Sequence, residues 1–201
     1  MSLPIPEAAG FPAPLAIEHP PWLHHIVRPG AVYTTEKARM SLAIQLSELQ
    51  VQHNTGGPFG AAVFELDSGK LVGVGVNRVI PDNASIAHAE VVAWSCAQQL
   101  LGTFDLGQSS LPSLGLYTSS QPCIACWGGL FWTGLSKLVC GATKQDVEEL
   151  AGFHEGPVPV DWDVLLEKAG IAVVKEVCRQ EACDVLKRYG ESGLIYNPSR
   201  S

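Results

Sequence analysis

From about residue 35 onward, segments with hydrophobic residues at every third or fourth position alternate with short apolar runs. Ala38, Leu42, Leu46 and Leu49 recur every three or four positions, which predicts a helix with one buried stripe. Other apolar runs are shorter, rich in valine and bounded by turn residues, which indicates strands. The turn sequence Asp-Ser-Gly-Lys at 67–70 separates two such runs and predicts a hairpin. The predicted helices run from a cap at Thr34 or Thr35 to residue 52 and over 88–101, 123–133, 143–150, 161–170 and 179–189, and the predicted strands are 61–66, 71–77, 114–118, 137–142 and 171–177.

This order of elements predicts an α/β fold. Strands that alternate with helices form a sheet with helices on both faces, and the initial hairpin makes that sheet mixed. We therefore expect a three-layer α/β/α sandwich around a mixed five-stranded sheet. The many prolines before residue 30 exclude one regular element there. We expect residues 1–33 to form a proline-rich arm and residues 34–201 to form one domain, with 157–201 as its C-terminal segment.

Composition favours a compact cytoplasmic protein. The 201 residues are 46% hydrophobic and 16% charged, which suits one domain with a sizeable core. No stretch resembles a membrane span, and the N-terminus lacks the pattern of a signal peptide. The formal charge of −7 argues against nucleic acid as a partner, because such binding depends on Lys and Arg contacts to phosphates. We expect neither a nucleic acid nor a membrane as partner.

Two short motifs carry the chemistry. The first is His-Ala-Glu at 88–90, and the second is Pro-Cys-Ile-Ala-Cys at 122–126. Their imidazole and two thiols are the ligand types of a three-coordinate zinc, and the glutamate adds an acid or base beside it. The histidine and the glutamate, two positions apart, converge only near the tip of a helix, and the proline marks the start of a second helix. The sequence therefore predicts one Zn²⁺ per chain, held at two helix N-termini by His88, Cys123 and Cys126.

The charges favour a catalytic metal over a structural one. One neutral imidazole and two thiolates cancel the charge of Zn²⁺, and a water in the fourth position is acidified towards neutral pH. Glu90 is then placed to take that proton and pass it on, which describes a hydrolytic site. The alternative is a structural four-cysteine zinc site completed by Cys178 and Cys183. That alternative gives His88 and Glu90 no role.

His-Ala-Glu followed by Pro-Cys-x-x-Cys resembles the zinc-dependent cytidine deaminase superfamily, whose signature has this form. Further segments are similar to its bacterial guanine deaminase branch: Gly-Pro-Phe-Gly-Ala at 57–61, Gly-Val-Asn at 75–77, Tyr-Thr-Ser at 117–119, Trp132 and Ala-Gly-Phe at 151–153. The resemblance covers roughly residues 35–156. It implies the α/β/α fold, hydrolysis of guanine to xanthine and ammonia, a small purine base as substrate, and a homodimer.

The resemblance also implies a substrate-binding set. Phe59 and Trp132 would border the purine ring, Asn77 would hydrogen-bond the base, and Ala89 would belong to the same set. In this branch a C-terminal aromatic residue can close over the site, sometimes from the partner subunit, and Tyr196 is the candidate here. The residues by themselves also allow core positions for the first two aromatic side chains and a turn position for the asparagine.

Two catalytic carboxylates follow from the same resemblance. Glu90 would move a proton from water to a ring nitrogen. A second acidic residue follows Ala-Gly-Phe in this branch, and Glu155 takes that place where an Asp is expected. Two acids suit the reaction, because one ring nitrogen and the departing amine each need a proton. Two alternatives remain: deamination of another base (cytosine, a pyrimidine nucleotide or adenosine in tRNA), or a non-catalytic zinc-stabilised interaction module.

Overall fold

Helices and strands alternate along residues 16–198, the part of the chain that the computed structural model describes. The helices are α1 (Leu23–Ile26), α2 (Glu36–Gln52), α3 (Ala89–Leu101), α4 (Ile124–Leu130), α5 (Lys144–Asp146), α6 (Trp162–Lys168) and α7 (Arg179–Glu191), and a π-helix, Val147–Ala151, continues α5. The strands are β1 (Gly60–Glu65), β2 (Leu71–Val76), β3 (Leu114–Ser120), β4 (Lys137–Ala142) and β5 (Ala172–Val174).

The five strands form one mixed sheet in the order β2-β1-β3-β4-β5. Strand β1 lies antiparallel to both β2 and β3, and β4 is parallel to β3 and to β5. In the hairpin, Ala62 pairs with Val74, and the register shifts between Val63 and Phe64. The predicted α/β fold with a mixed five-stranded sheet is confirmed.

Successive strand residues point into two separate cores. Ala62 and Phe64 pack with α2, α7 and the π-helix, whereas Ala61 and Val63 pack with α3, α4 and α6. This division follows from the alternation of side chains along a strand. Because both faces are covered, β2 and β3 are buried along their whole length and read as nearly continuous apolar runs. The result is the predicted three-layer sandwich.

The last strand is shorter than predicted. Strand β5 ends at Val174, because Glu176 and Cys178 have φ angles of 62° and 54°, which an extended strand excludes. The helix predicted over 143–150 also differs, since a short α-helical turn gives way to the π-helix.

The predicted arm runs beside β2 where it is described. Gly30 N–H donates to Leu71 O at 2.9 Å, and Tyr33 N–H donates to Gly69 O at 2.8 Å. Residues 1–15 of the arm lie outside the described residues. None of the helices within 16–198 combines the length and the apolar character that crossing a membrane requires.

Candidate active site

One edge of the sheet gathers the predicted site. Strand β1 starts where β2 and β3 end, because it runs antiparallel to both. Phe59 directly precedes β1, Asn77 directly follows β2, and segment 122–126 comes just after β3. Asn77 N–H also donates to Phe59 O at 3.1 Å. The topology therefore brings these three parts of the chain side by side.

The predicted metal ligands meet at two helix N-termini. His88 is the N-cap of α3, Cys123 is the N-cap of α4, and Cys126 lies in the first turn of α4. Both helices thus begin one residue later than predicted. His88 Nδ1 lies 3.4 Å from Cys123 Sγ and 3.5 Å from Cys126 Sγ. The ligand atoms of all three residues fall within 4.8 Å of one another.

This donor set fits a tetrahedral zinc ion. Zn–S bonds near 2.3 Å and Zn–N bonds near 2.0 Å place sulfur and nitrogen about 3.5 Å apart at the tetrahedral angle, as the two distances from His88 Nδ1 require. Cys178 and Cys183 lie at the start of α7, outside this group. Within residues 16–198 the structure therefore gives no support to the four-cysteine alternative.

The three donors strongly perturb one another. The hydrogen bond with Cys126 lowers the pKa of Cys123 to about 4, helped by His88 and opposed by burial. Burial lowers the pKa of His88, but the hydrogen bond with Cys123 and nearby negative charges raise it to about 9. The pKa of Cys126 rises well above its usual value, through its hydrogen bond with Cys123 and its burial. A bound divalent cation would instead hold both sulfurs as thiolates and His88 neutral.

Two buried carboxyl groups share the pocket with these donors. Glu90 and Glu155 are each 7% exposed. Burial, together with the charge of Cys123, raises the pKa of Glu90 to about 7. Burial also raises the pKa of Glu155 to about 8, with further contributions from the charges of Cys123 and Glu90. Both groups can therefore hold or release a proton near neutral pH.

A pocket of about 450 Å³ opens beside the carboxyl groups. Phe153 lies at the centre of its aromatic wall. The ring centroids of Phe59 and Tyr196 lie 5.2 Å and 5.1 Å from that of Phe153 in edge-to-face contacts. Tyr189 stacks on Phe153 at 5.7 Å. An apolar aromatic wall of this kind suits a planar ring ligand.

The C-terminal tail of the same chain lines one side of this pocket. Tyr196 O–H donates to Asn77 Oδ1 at 2.7 Å. Asn197 Nδ2 donates to Gly152 O at 3.0 Å, and His154 N–H donates to Asn197 Oδ1 at 3.0 Å. The structure therefore places Tyr196 and Asn77 together, and it does so within one chain.

Trp132 lies away from this pocket. Its side chain is 83% exposed and does not line the pocket of its own chain. Helix α4 ends at Leu130 and not at residue 133, because Thr133 Oγ1 donates to Leu130 O at 2.8 Å. The expectation that Trp132 borders the ring is therefore not met within one chain. Ala89 is fully buried and is not among the residues that line the pocket; its main-chain N–H belongs to the first turn of α3, where such groups have no partner within the helix.

Gln50 is a site-supporting residue that the sequence analysis missed. It is fully buried, and its Nε2 donates to Thr55 O at 2.8 Å and to Asn77 O at 2.5 Å. The Thr55 hydroxyl donates back to Gln50 Oε1 at 2.8 Å. Its signal was a polar residue that continues the apolar stripe four positions after Leu46. Such a residue is buried only when its amide is paired.

Comparison with known proteins defines the class. Residues 33–142 match the cytidine and deoxycytidylate deaminase zinc-binding region. This match spans more than half of the chain, so the chain belongs to that family of zinc-dependent deaminases. The expected zinc cofactor is confirmed, since the matched region is zinc-binding and the donors gather in the structure.

Individual relatives indicate which members of the family the chain resembles. The guanine deaminase of Bacillus subtilis (strain 168) is 34% identical over 129 residues, which are 64% of this chain and 78% of the relative. A solved guanine deaminase from Nitrosomonas europaea is 41% identical, with a TM-score of 0.85 over 90% of this chain and 99% of that chain. A further solved relative, in complex with 2,6-diaminopurine, is 43% identical, with a TM-score of 0.85 over 91% of this chain and 96% of that chain. The expected resemblance to guanine deaminases is confirmed.

Proposed function

We propose that this chain is a guanine deaminase, which uses water to convert guanine to xanthine and ammonia. The observation that carries the proposal is the pair of buried carboxyl groups, Glu90 and Glu155, in one pocket with His88 and Cys123 of the three-donor zinc site. The guanine deaminases among the relatives support the choice of base. The ligand of one related structure, 2,6-diaminopurine, is a purine that carries the same 2-amino group as guanine.

His88, Cys123 and Cys126 would hold the zinc ion. When bound, the metal supplies a Lewis acid that lowers the pKa of water towards neutrality. Two thiolates and a neutral imidazole balance its charge, so Glu90 and Glu155 remain as the groups that exchange protons in the pocket.

Glu90 moves the first proton. It accepts a proton from the attacking water and delivers it to N3, the ring nitrogen beside C2. A pKa of about 7 suits both steps, because neither protonation state is strongly favoured at neutral pH. The carbon C2 then carries a hydroxyl and the amino group.

Glu155 moves the second proton. Its pKa of about 8 keeps it protonated at neutral pH, so it can protonate the 2-amino nitrogen. The C2–N bond breaks and ammonia leaves. The hydroxyl on C2 returns its proton to Glu155 and becomes the second carbonyl of xanthine, which restores the acid.

The remaining pocket residues bind a neutral, planar base. Phe59 and Tyr196 belong to the aromatic wall, and Asn77 supplies an amide at its end. The main-chain N–H of Ala89, at the N-terminus of α3, is a further donor. Guanine has no charged group, so stacking and edge hydrogen bonds supply its affinity.

A polyanionic substrate fits this pocket less well. No Lys or Arg lines it among the described residues, whereas binding of tRNA depends on such contacts. This argues against adenosine in tRNA. Cytosine lacks the imidazole ring and would leave part of the aromatic wall unused.

Ammonia release tests the proposal directly. Zinc-loaded protein is incubated with guanine, cytosine, cytidine and adenosine, beside the Glu90→Ala variant as a matched control that keeps all zinc ligands. We expect release from guanine alone, with loss of several orders of magnitude in the variant. Release from another base would move the substrate, and zinc binding without any turnover would favour the interaction module.

We also propose that the enzyme forms a homodimer through the outer faces of α3 and α4. Segments 91–104 and 121–136 contain no charged residue. They carry Phe104 and Trp132, which are 81% and 83% exposed. The loops that follow α3 and α4 are joined by a main-chain hydrogen bond of 2.9 Å from Leu106 N–H to Thr133 O. Uncharged surface with exposed aromatic residues is typical of an interface core. Light scattering should give the mass of a dimer, and a monomer would refute this proposal.

The proposal also covers the domain organisation of the chain and its location in the cytoplasm. We infer that residues 34–201 act as one domain and that residues 1–33 are an arm, in keeping with the two cores shared by α2 to α7. All six cysteines are free, which suits the reducing cytoplasm.

A further inference from the structure

The loop that connects β2 to α3 leads directly into a zinc donor. It covers residues 78–87, and His88 follows it as the N-cap of α3. Arg78 N–H donates to Ala87 O at 2.8 Å, which closes the loop on itself. His88 N–H donates to Ile86 O at 2.7 Å, so the main chain of the donor is tied to the end of the loop. The conformation of this loop therefore determines where His88 lies.

A largely buried ion pair lies inside loop 78–87. Arg78 Nη2 donates to Asp82 Oδ1 at 2.8 Å, and Arg78 Nε donates to Asp82 Oδ2 at 3.3 Å. The two side chains are 13% and 12% exposed, whereas every other ion pair among residues 16–198 has a member that is at least 35% exposed. Two parallel hydrogen bonds hold a guanidinium and a carboxylate in one mutual orientation. The pair therefore restrains the loop and does not merely decorate its surface.

The same guanidinium also ties the loop to a second part of the chain. Arg78 Nη1 donates to Thr55 O at 3.1 Å, and Thr55 lies in the loop between α2 and β1. That carbonyl oxygen is itself held in place, because it also accepts from Nε2 of the fully buried Gln50 at 2.8 Å. One planar side chain thus connects a point inside loop 78–87 to a fixed point outside it.

Apolar packing contributes little to the order of this loop. Its buried apolar residues are Ala84 and Ala87, which are both small, and its two isoleucines, Ile80 and Ile86, are 57% and 47% exposed. Hydrophobic stabilisation scales with the apolar area that is buried, so alanines supply little of it. The ion pair is therefore the main side-chain restraint on loop 78–87.

We propose that Arg78 and Asp82 are positioning residues that hold His88 ready for zinc. Without the pair, the loop presents His88 in the correct place in only a fraction of the molecules, and the apparent zinc affinity falls by that fraction. Cys123 and Cys126 belong to the start of α4 and not to this loop, so the other two donors keep their places. The inference concerns metal binding alone and does not depend on which base the enzyme deaminates.

The test measures the zinc affinity of the folded full-length protein by competition with a chromophoric chelator, at one pH and without any base. Asp82→Asn keeps the size of the side chain and removes its charge. Arg78→Lys keeps the charge, but a single ammonium group lacks the planar fork that bonds a carboxylate at two points.

Asp146→Asn is the matched control. Arg179 Nε and Nη2 donate to Asp146 Oδ2 and Oδ1 at 2.8 Å and 2.9 Å, so this is another Arg–Asp pair with two hydrogen bonds. It joins α5 to α7 and includes no residue of loop 78–87. Urea unfolding of every variant separates a change in positioning from a change in stability, because a merely structural pair moves the urea midpoint and not the zinc affinity.

Asp82→Asn and Arg78→Lys should each bind zinc about 10-fold to 100-fold more weakly than the wild type, the usual loss when a group that orients a metal ligand is removed. Asp146→Asn should lower the urea midpoint and keep the zinc affinity of the wild type. Wild-type zinc affinity in a folded loop variant overturns the inference, and so does an equal loss of affinity in the control. Should one loop variant not fold, the other decides the outcome. Absence of guanine turnover would overturn the proposed function and leave this result standing.

Discussion

Replacing Glu155 by glutamine should lower kcat for guanine by about 10²-fold to 10⁴-fold at pH 7, the usual contribution of a positioned acid. The substitution preserves the size of the side chain. It also keeps the main-chain hydrogen bond from Ile124 N–H to the carbonyl oxygen of residue 155, which is 3.0 Å long. Only the ionisable proton is lost. Because that proton acts after binding, KM should change less than kcat.

The pKa of about 8 adds a pH dependence that identifies the group. At pH 7 about nine-tenths of the Glu155 carboxyl is protonated, and at pH 9 about one-tenth. The wild-type rate should therefore fall about tenfold per pH unit above pH 8, and the variant lacks this decline. The ratio of kcat between wild type and variant should shrink about tenfold from pH 7 to pH 9. Ionisation of the substrate affects both proteins and cancels in this ratio.

The pH dependence of the free energy of unfolding also reports on the Glu155 carboxyl. Its pKa rises from 4.5 to about 8 on folding, so between these values the folded protein keeps a proton that the unfolded chain has lost. Wild-type stability should then fall as pH rises through this range, by at most about 1.4 kcal/mol per unit. The glutamine variant lacks that slope, so its urea midpoint should exceed that of the wild type by more at pH 8 than at pH 5. A near-normal kcat, or a ratio independent of pH, would refute the assigned role.

Two further changes test the metal centre and the packing of its helix. Cys126→Ser should abolish stoichiometric zinc in elemental analysis, and a chelator should lower the Tm of the wild type but not of this variant. Gly129→Ala should destabilise the fold by about 1–3 kcal/mol in urea unfolding, because the new Cβ would lie 2.9 Å from the buried Trp94 ring. Gly128→Ala is the matched control: its Cβ meets nothing within 4 Å, so higher helix propensity should stabilise the monomer by up to about 1 kcal/mol.

The metal donors were predictable because each motif is compact. His88 and Cys123 both became N-cap residues, as the spacing to Glu90 and the position of Pro122 indicated. The alternating elements were predictable for a similar reason, since their signals are local. The helix and strand ends that were predicted wrongly depend on single side chains or backbone torsions, such as the positive φ of Glu176 that ends β5.

The pocket wall was harder to predict because it joins distant parts of the chain. Asn197 pairs with Gly152 across 45 positions, and Tyr196 pairs with Asn77 across 119. No local periodicity encodes such contacts. Trp132 shows the reverse relation: it stands close in sequence to Cys126, but the helix ends at Leu130, before it, and its side chain does not line the pocket of its own chain.

The position of Glu155 is determined by main-chain contacts on both sides. Before it, Gly152 O and His154 N–H bind the two ends of the Asn197 amide; at the residue itself, the carbonyl oxygen accepts from Ile124 N–H. None of these contacts uses the carboxyl group, which stays free to exchange protons. One anchor belongs to the C-terminal tail and the other to the helix that starts beside the zinc donor Cys123. The C-terminal tail and α4 therefore position Glu155 together. Its side chain is one methylene longer than that of the Asp expected here, so the main-chain position that these contacts fix also determines where its carboxyl group lies.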